Sequence, residues 1–215
     1  GEKFLRSIKA AVVPAVGVPF DYQSLELEPP RADEVQVQFK VVGLCHTDLG
    51  GSGGVMPYRF PEVLGHGGGG IVRALGSEVT KVAVGDSVLI SLRSCGSCDR
   101  CDQKQPAYCR TSVHLNYSGR RVDGTTPLRD RNQAEVSGNF FGQSSFASDV
   151  ITYERNLVRV DPSLPLEILG PLGCGVQTGV GSVLRSLKVE AGSSLLIVGG
   201  GAVGLSAVMG GAIAG

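Results

Sequence analysis

The chain has 215 residues, 20 basic and 20 acidic side chains, and 42% hydrophobic residues. That length buries a real core in one domain or two small ones. The balanced charge, with no long block of either sign, argues against nucleic acid or an acidic membrane surface as partner. No apolar stretch reads as a membrane span, because the longest, residues 193–215, is broken by glycine clusters. Pro14 and Pro19 interrupt the apolar run after Lys3, Arg6 and Lys9, so the start does not read as a signal peptide and the expected location is cytoplasmic.

Residues 8–90 carry short, mostly alternating apolar segments, IKAAVV, VQVQFKVV, IVRAL and DSVLI, punctuated by Pro29-Pro30, Gly76 and Gly85-Asp86. This is the pattern of a β-rich barrel or sandwich. Residues 93–145 are polar and turn-rich and include a long excursion from Asn116. Strand character returns in ASDVITY and NLVRV, and the character changes at Asp161-Pro162. Beyond it, helical turns interrupted by Pro171 lead to a better helix over 176–187. SLLIV then reads as a strand buried on both faces, followed by a glycine turn and a run of helical length.

Four cysteines, Cys95, Cys98, Cys101 and Cys109, follow C-x2-C-x2-C-x7-C. Thiolates at this spacing can converge on one tetrahedral zinc with no position left open, a site that holds structure. The alternative, a pair of disulfides, needs an oxidising compartment and usually a denser cysteine content than 6 in 215.

Gly199, Gly201 and Gly204 match G-x-G-x-x-G directly after the predicted strand. In that context the motif gives a tight turn, room for a pyrophosphate and a helix N-terminus facing the anion. It also fits a glycine turn that only packs a helix on a strand. The remaining cysteines, Cys45 and Cys174, with His66, offer two thiolates and one imidazole. That set leaves a zinc with one free position, as catalysis requires. Taken singly, each has a plainer reading, a small buried thiol or a turn histidine.

The segments GLCHTD, LGHGGGGIV, the four-cysteine lobe, GPLGCGVQTG and VGGGAVGLSAV together resemble the zinc-dependent medium-chain alcohol dehydrogenases, in that family's order and spacing. GRRVDGTTPLRD and FFGQSSFASDVITYERNLV look most like its aryl-alcohol (benzyl alcohol) members. The resemblance implies a mainly β chain: a GroES-like β-barrel catalytic domain over 1–163, with a structural zinc lobe at 93–112. A helical connector and the first strand and helix of an α/β Rossmann domain would follow over 164–215.

It further implies two Zn2+ per chain and NAD. Cys45, His66 and Cys174 would be the catalytic zinc ligands, and Cys95, Cys98, Cys101 and Cys109 the structural ones. Thr47 would pass the alcohol proton outward, Asp48 would orient the ligating histidine, and His46 would sit near the pyrophosphate or in the proton relay. Gly199, Gly201 and Gly204 would take the dinucleotide, while His114 has no implied role and reads as a surface residue. The reaction would convert a small primary, aromatic or allylic, alcohol to its aldehyde, in a homo-oligomer in full-length members.

Two departures stand out. Position 67 is glycine where the family typically has glutamate, which removes a negative charge beside the ion but leaves three ligands, so zinc binding is still expected. The sequence also stops at Gly215, before the acidic ribose ligand and most of a nucleotide sheet. The expectation is an N-terminal portion of the enzyme, inactive alone, or alternatively a non-catalytic zinc-binding GroES-like module.

Overall fold

The computed structural model describes residues 5–55 and 59–215; Lys3 lies outside them. One five-stranded sheet has the order β4-β1-β2-β7-β8, where β1 is Arg6–Val13, β2 Asp21–Leu27, β4 Glu62–Val63, β7 Leu128–Arg129 and β8 Glu135–Val136. The other runs β10-β6-β5-β3-β9, with β3 Glu34–Val42, β5 Gly68–Leu75, β6 Ser87–Ile90, β9 Asp149–Tyr153 and β10 Leu157–Arg159. All pairings within the sheets are antiparallel. The segment just before β9 joins the sheets. Ala147 bridges Ala10, the Ala11 N–H donates to the Phe146 carbonyl at 2.9 Å, and the Phe39 N–H donates to the Ser148 carbonyl at 3.0 Å. The result is the nearly closed, barrel-like β domain the sequence pattern implied.

The alternation has a direct physical cause. Successive strand side chains point to opposite faces, so Ile8, Ala10 and Val12 of β1 and Leu25 and Leu27 of β2 enter one core with Val35, Val37, Val72 and Ile90. On β3 the polar residues Glu34 and Gln36 are buried as well, which alternation alone does not foresee. The excursion after Asn116 brings Arg121 to Glu34, with Nε to Oε1 at 2.7 Å and Nη2 to Oε2 at 2.9 Å. Arg121 Nη1 reaches Glu28 at 2.9 Å. This buried fork ties the polar excursion to the barrel, and removing one partner would strand charge in a dry place.

The described residues form six α-helices besides the strands: α1 His46–Ser52, α2 Asp99–Asp102, α3 Ser112–Tyr117, α4 Leu166–Leu169, α5 Gly175–Gly181 and α6 Ala202–Ala214. The helix expected over 176–187 is α5, continued by a wider-turned π segment at Ser182–Leu187 and closed by Lys188 in the left-handed region (φ 52°). Helices α5 and α6 pack closely because Gly179 has no side chain. A Cβ there would lie 2.2 Å from the Val203 carbonyl and 2.7 Å from Ser206 Cβ.

The expectation of a strand at SLLIV buried on both faces is not met. Residues 194–198 form no strand, and Leu196 and Val198 are 88% and 91% exposed. A parallel strand needs paired neighbours and cover on both faces, and the ladders formed among the described residues belong to the barrel. Among the described residues no helix is long and apolar enough to cross a membrane.

Candidate metal centre

Cys45 ends the loop after β3 in extended conformation (φ −130°, ψ 154°), and α1 starts at the next residue. His66 lies on the short link from β4 to β5, and Cys174 caps α5. These three come together with their donor atoms within 4.8 Å of one another, and His66 Nε2 is 3.2 Å from Cys174 Sγ. Two thiols and an imidazole converging in this way suit zinc chemically.

Asp48 is fully buried and accepts from three groups: the Cys45 N–H (3.1 Å), the Gly65 N–H (3.1 Å) and His66 Nδ1 (3.0 Å). A carboxylate at Nδ1 fixes the ring so that Nε2 faces the thiols. The plainer reading of Asp48, a helix-capping residue, is also realised, since its other oxygen holds the Cys45 amide. Burial alone would pull the His66 pKa down, but the hydrogen bonds and charges of Asp48 and Cys174 outweigh it and push it up to about 10. Burial pushes the Cys45 thiol up. The Thr47 amide and hydroxyl and His66 more than offset this, leaving it below the usual thiol range.

Thr47 Oγ1 lies 3.6 Å from Cys45 Sγ, at the edge of the cluster. His46, the first residue of α1, is exposed and stands outside the donor cluster. His114 is exposed on α3.

Several residues that frame the centre were not foreseen. The Phe141 ring stacks on His66 (centroids 4.5 Å apart, 26° between planes), and Phe140 meets it edge-on at 5.8 Å; Tyr117 contacts both phenylalanines. Gln143 is buried and accepts from the Gly67 N–H at 3.0 Å. The only sequence signal was apolar and amide residues in a run, FFGQSS, that has no strand or helix period.

Gly67 adopts φ +79°, and a Cβ there would stand 3.3 Å from Cys174 Cβ. Both facts favour glycine at this spot in this chain.

The four lobe cysteines also converge, with sulfur atoms within 4.8 Å. The Ser97 amide draws the Cys95 thiol well below its ordinary range, and the Arg110 and Cys101 amides do the same for Cys98. Burial among the other sulfurs pushes Cys101 up. Backbone N–H groups aimed at sulfur are what a thiolate cluster requires. All six cysteines are free thiols, so the disulfide alternative finds no pairing here.

The glycine turn forms as the motif demands. Gly199 has φ +101°, Gly201 precedes α6 in extended conformation and its carbonyl accepts from the Leu205 N–H at 2.9 Å. A Cβ on Gly204 would lie 1.9 Å from the Gly199 carbonyl. The turn sits beside the metal cluster, since a Cβ on Gly175 would be 3.2 Å from Ala202 Cβ.

A nearly closed β-barrel with a half-buried Cys-His-Cys cluster, a separate four-cysteine lobe and a glycine turn before the last helix defines the class, a GroES-like barrel whose two cysteine clusters have the donor sets that suit zinc. The alcohol dehydrogenase GroES-like domain family matches residues 31–162. A probable alcohol dehydrogenase of a Pseudomonas species is 51% identical over 169 residues, covering 77% of this chain and 53% of the relative. Geraniol dehydrogenase of Castellaniella defragrans is 45% identical over 205 residues, 95% of this chain and 54% of that enzyme. The crystal structure of benzyl alcohol dehydrogenase from Acinetobacter calcoaceticus superposes with TM-score 0.92 at 42% identity, covering 98% of this chain and 56% of that one. The chain therefore belongs to the alcohol dehydrogenase family, through its GroES-like domain, and spans about half the length of the relatives it matches.

Proposed function

We propose that this chain supplies the zinc-binding catalytic domain, and the opening turn of the nucleotide domain, of an NAD-linked dehydrogenase that oxidises primary aromatic or allylic alcohols to aldehydes. The convergence of Cys45, His66 and Cys174, with Asp48 on the far nitrogen of His66, carries this reading. A zinc ion bound there supplies Lewis acidity to an alcohol oxygen and lowers its pKa. The residues around it divide the remaining work. Asp48 holds the proton on Nδ1 and so keeps Nε2 free as a ligand. Thr47 Oγ1 is placed to accept the alcohol proton and hand it outward. Phe140, Phe141 and Tyr117 wall the His66 side with aromatic carbon, which excludes water and suits a flat, unsaturated substrate, in keeping with relatives named for geraniol and benzyl alcohol. Gly199, Gly201 and Gly204 offer an open backbone turn at the start of α6 for a pyrophosphate, with His46 as a further group on the cofactor side. The four-cysteine lobe holds a second, structural zinc.

The test is metal content followed by turnover. Two zincs per chain, one lost in Cys174→Ser and the other in Cys101→Ser, would support both sites; a wild-type chain that takes up one zinc, unaffected by Cys174→Ser, would overturn the catalytic one. A non-catalytic zinc-binding GroES-like module is the second reading. Zinc-dependent NADH formation from benzyl alcohol by the purified chain would dismiss it.

A further inference from the structure

The turn that backs the metal cluster is strained. Phe141 (φ 52°), Gly142 (φ 65°) and Ser144 (φ 54°) all occupy the left-handed region, which a non-glycine residue enters only when its surroundings demand it. The turn is held by its own bonds, from the Gly142 N–H to the Asn139 carbonyl (2.9 Å), the Ser144 N–H to the Phe140 carbonyl (2.8 Å) and the Phe140 N–H to Ser144 Oγ (2.9 Å). What the turn achieves is the placement of two side chains, two residues apart, on two consecutive residues: Phe141 on His66 and Gln143 on Gly67.

Gly67 has no side chain to anchor it; its φ of +79° favours glycine, and a Cβ there would press on Cys174 Cβ at 3.3 Å. Its peptide is held from outside at both ends. The N–H donates to Gln143 Oε1 (3.0 Å), and the carbonyl accepts from Ser145 Oγ (3.3 Å). Gln143 also donates from Nε2 to the Ser91 carbonyl (3.1 Å), and Ser91 Oγ donates to the Gly173 carbonyl (3.0 Å). A continuous chain of bonds therefore runs from the residue after His66, through Gln143 and Ser91 at the end of β6, to the residue before Cys174. A glutamine 1% exposed, with acceptor and donor both on main-chain atoms of other segments, is more than core filling.

We propose that Gln143 is a positioning residue for the three-ligand metal centre, its amide joining the His66–Gly67 turn to the Ser91–Gly173 strut and so fixing the approach of His66 Nε2 to Cys174. This rests on the metal centre proposed above. It acts on neighbours of the ligands and touches neither ion nor substrate.

Gln143→Met keeps the length of the side chain and removes both hydrogen-bonding groups. The experiment is chelator competition on the zinc-loaded chain, resolving its two metal classes, together with the visible spectrum of the cobalt-loaded protein. Expected is a loss of about 10–100-fold in the affinity of one class, a shifted cobalt spectrum and an unchanged four-cysteine class, which serves as an internal control. Ser91→Ala, from a half-buried position, removes only the Ser91 Oγ link to Gly173 and should weaken the same class by a smaller factor; Gln143→Glu, which keeps the acceptor for the Gly67 N–H and loses the amide donor to the Ser91 carbonyl, decides the matter if Gln143→Met does not fold. Unchanged affinity and spectrum overturn the proposal, as does a parallel weakening of both classes, which marks a general loss of stability. A wild-type chain with a single zinc class overturns the metal centre itself; two classes with an insensitive Gln143→Met overturn only the role of Gln143.

Discussion

The two cysteine clusters solve one problem in opposite ways. The four-cysteine lobe takes all its donors from residues 95–109 and charges them with local amides, three of them at partly exposed positions and Cys109 buried. The Cys45, His66 and Cys174 cluster draws on three distant segments and buries His66 to 5% exposure. It also leans on Asp48, three residues after Cys45, and on Phe141 and Gln143 from one further turn. The lobe needs only its own loop, whereas the centre needs the closed barrel. A short loop is enough to saturate a structural ion, while leaving one position free requires rigid support from outside.

Removing ligands should break this contrast most sharply. Cys101→Ser is expected to cost one zinc and to expose amides 95–111 to rapid hydrogen exchange while the barrel stays protected. His66→Ala should cost the other zinc and leave lobe exchange unchanged. Element analysis with exchange mass spectrometry reads both.

A milder change sharpens the comparison. Asp48→Asn places an NH2 against either the Cys45 amide or the pair formed by the Gly65 amide and His66, donor facing donor. The expected result is about 10–100-fold weaker zinc at the centre and a loss of about 2–3 kcal/mol in stability, with lobe affinity unaltered in chelator titration.

Different in kind is a pH effect confined to the barrel side. Glu62, in the strand leading to His66, is fully buried, and among the described residues neither of its carboxylate oxygens is hydrogen-bonded. Burial, only partly opposed by Arg120, raises its pKa to about 8. The folded protein then binds this proton more tightly than the unfolded chain. Its contribution is fully present below the unfolded pKa near 4.5 and is lost as pH rises through about 8, on the order of a few kcal/mol. Thermal melts of Glu62→Gln should show a flatter profile across that window; an unchanged slope would refute the assignment.

The smallest effect belongs to the lobe's surface pair. Arg110 meets Asp99 at 2.8 Å, with both side chains about half exposed or more, so Arg110→Ala should leave zinc stoichiometry and melting temperature essentially unchanged.

The same contrast explains what the sequence made legible. The residues of both converging clusters were readable, the lobe from spacing and the Cys45, His66 and Cys174 group only in company with other motifs, because donor chemistry is written in residue identity. The barrel strands were readable where short apolar segments stand between turns, in β1, β3, β5, β6, β9 and β10. β2, seven residues of mostly polar sequence, was missed because its inward residues are few. SLLIV was misread because local propensity cannot supply the neighbours a strand must pair with. Gln143, Phe141 and the Arg121 fork were invisible, since each acquires its meaning from a partner far along the chain.

The meeting of Gly175 with Ala202 has a consequence of its own. Cys174 begins one helix and the glycine turn begins the other, so the contact between those helix starts works as a gauge block between the Cys45, His66 and Cys174 cluster and the turn. Its thickness is set by one missing methyl group: a Cβ at position 175 would stand 3.2 Å from Ala202 Cβ and press the two ends apart.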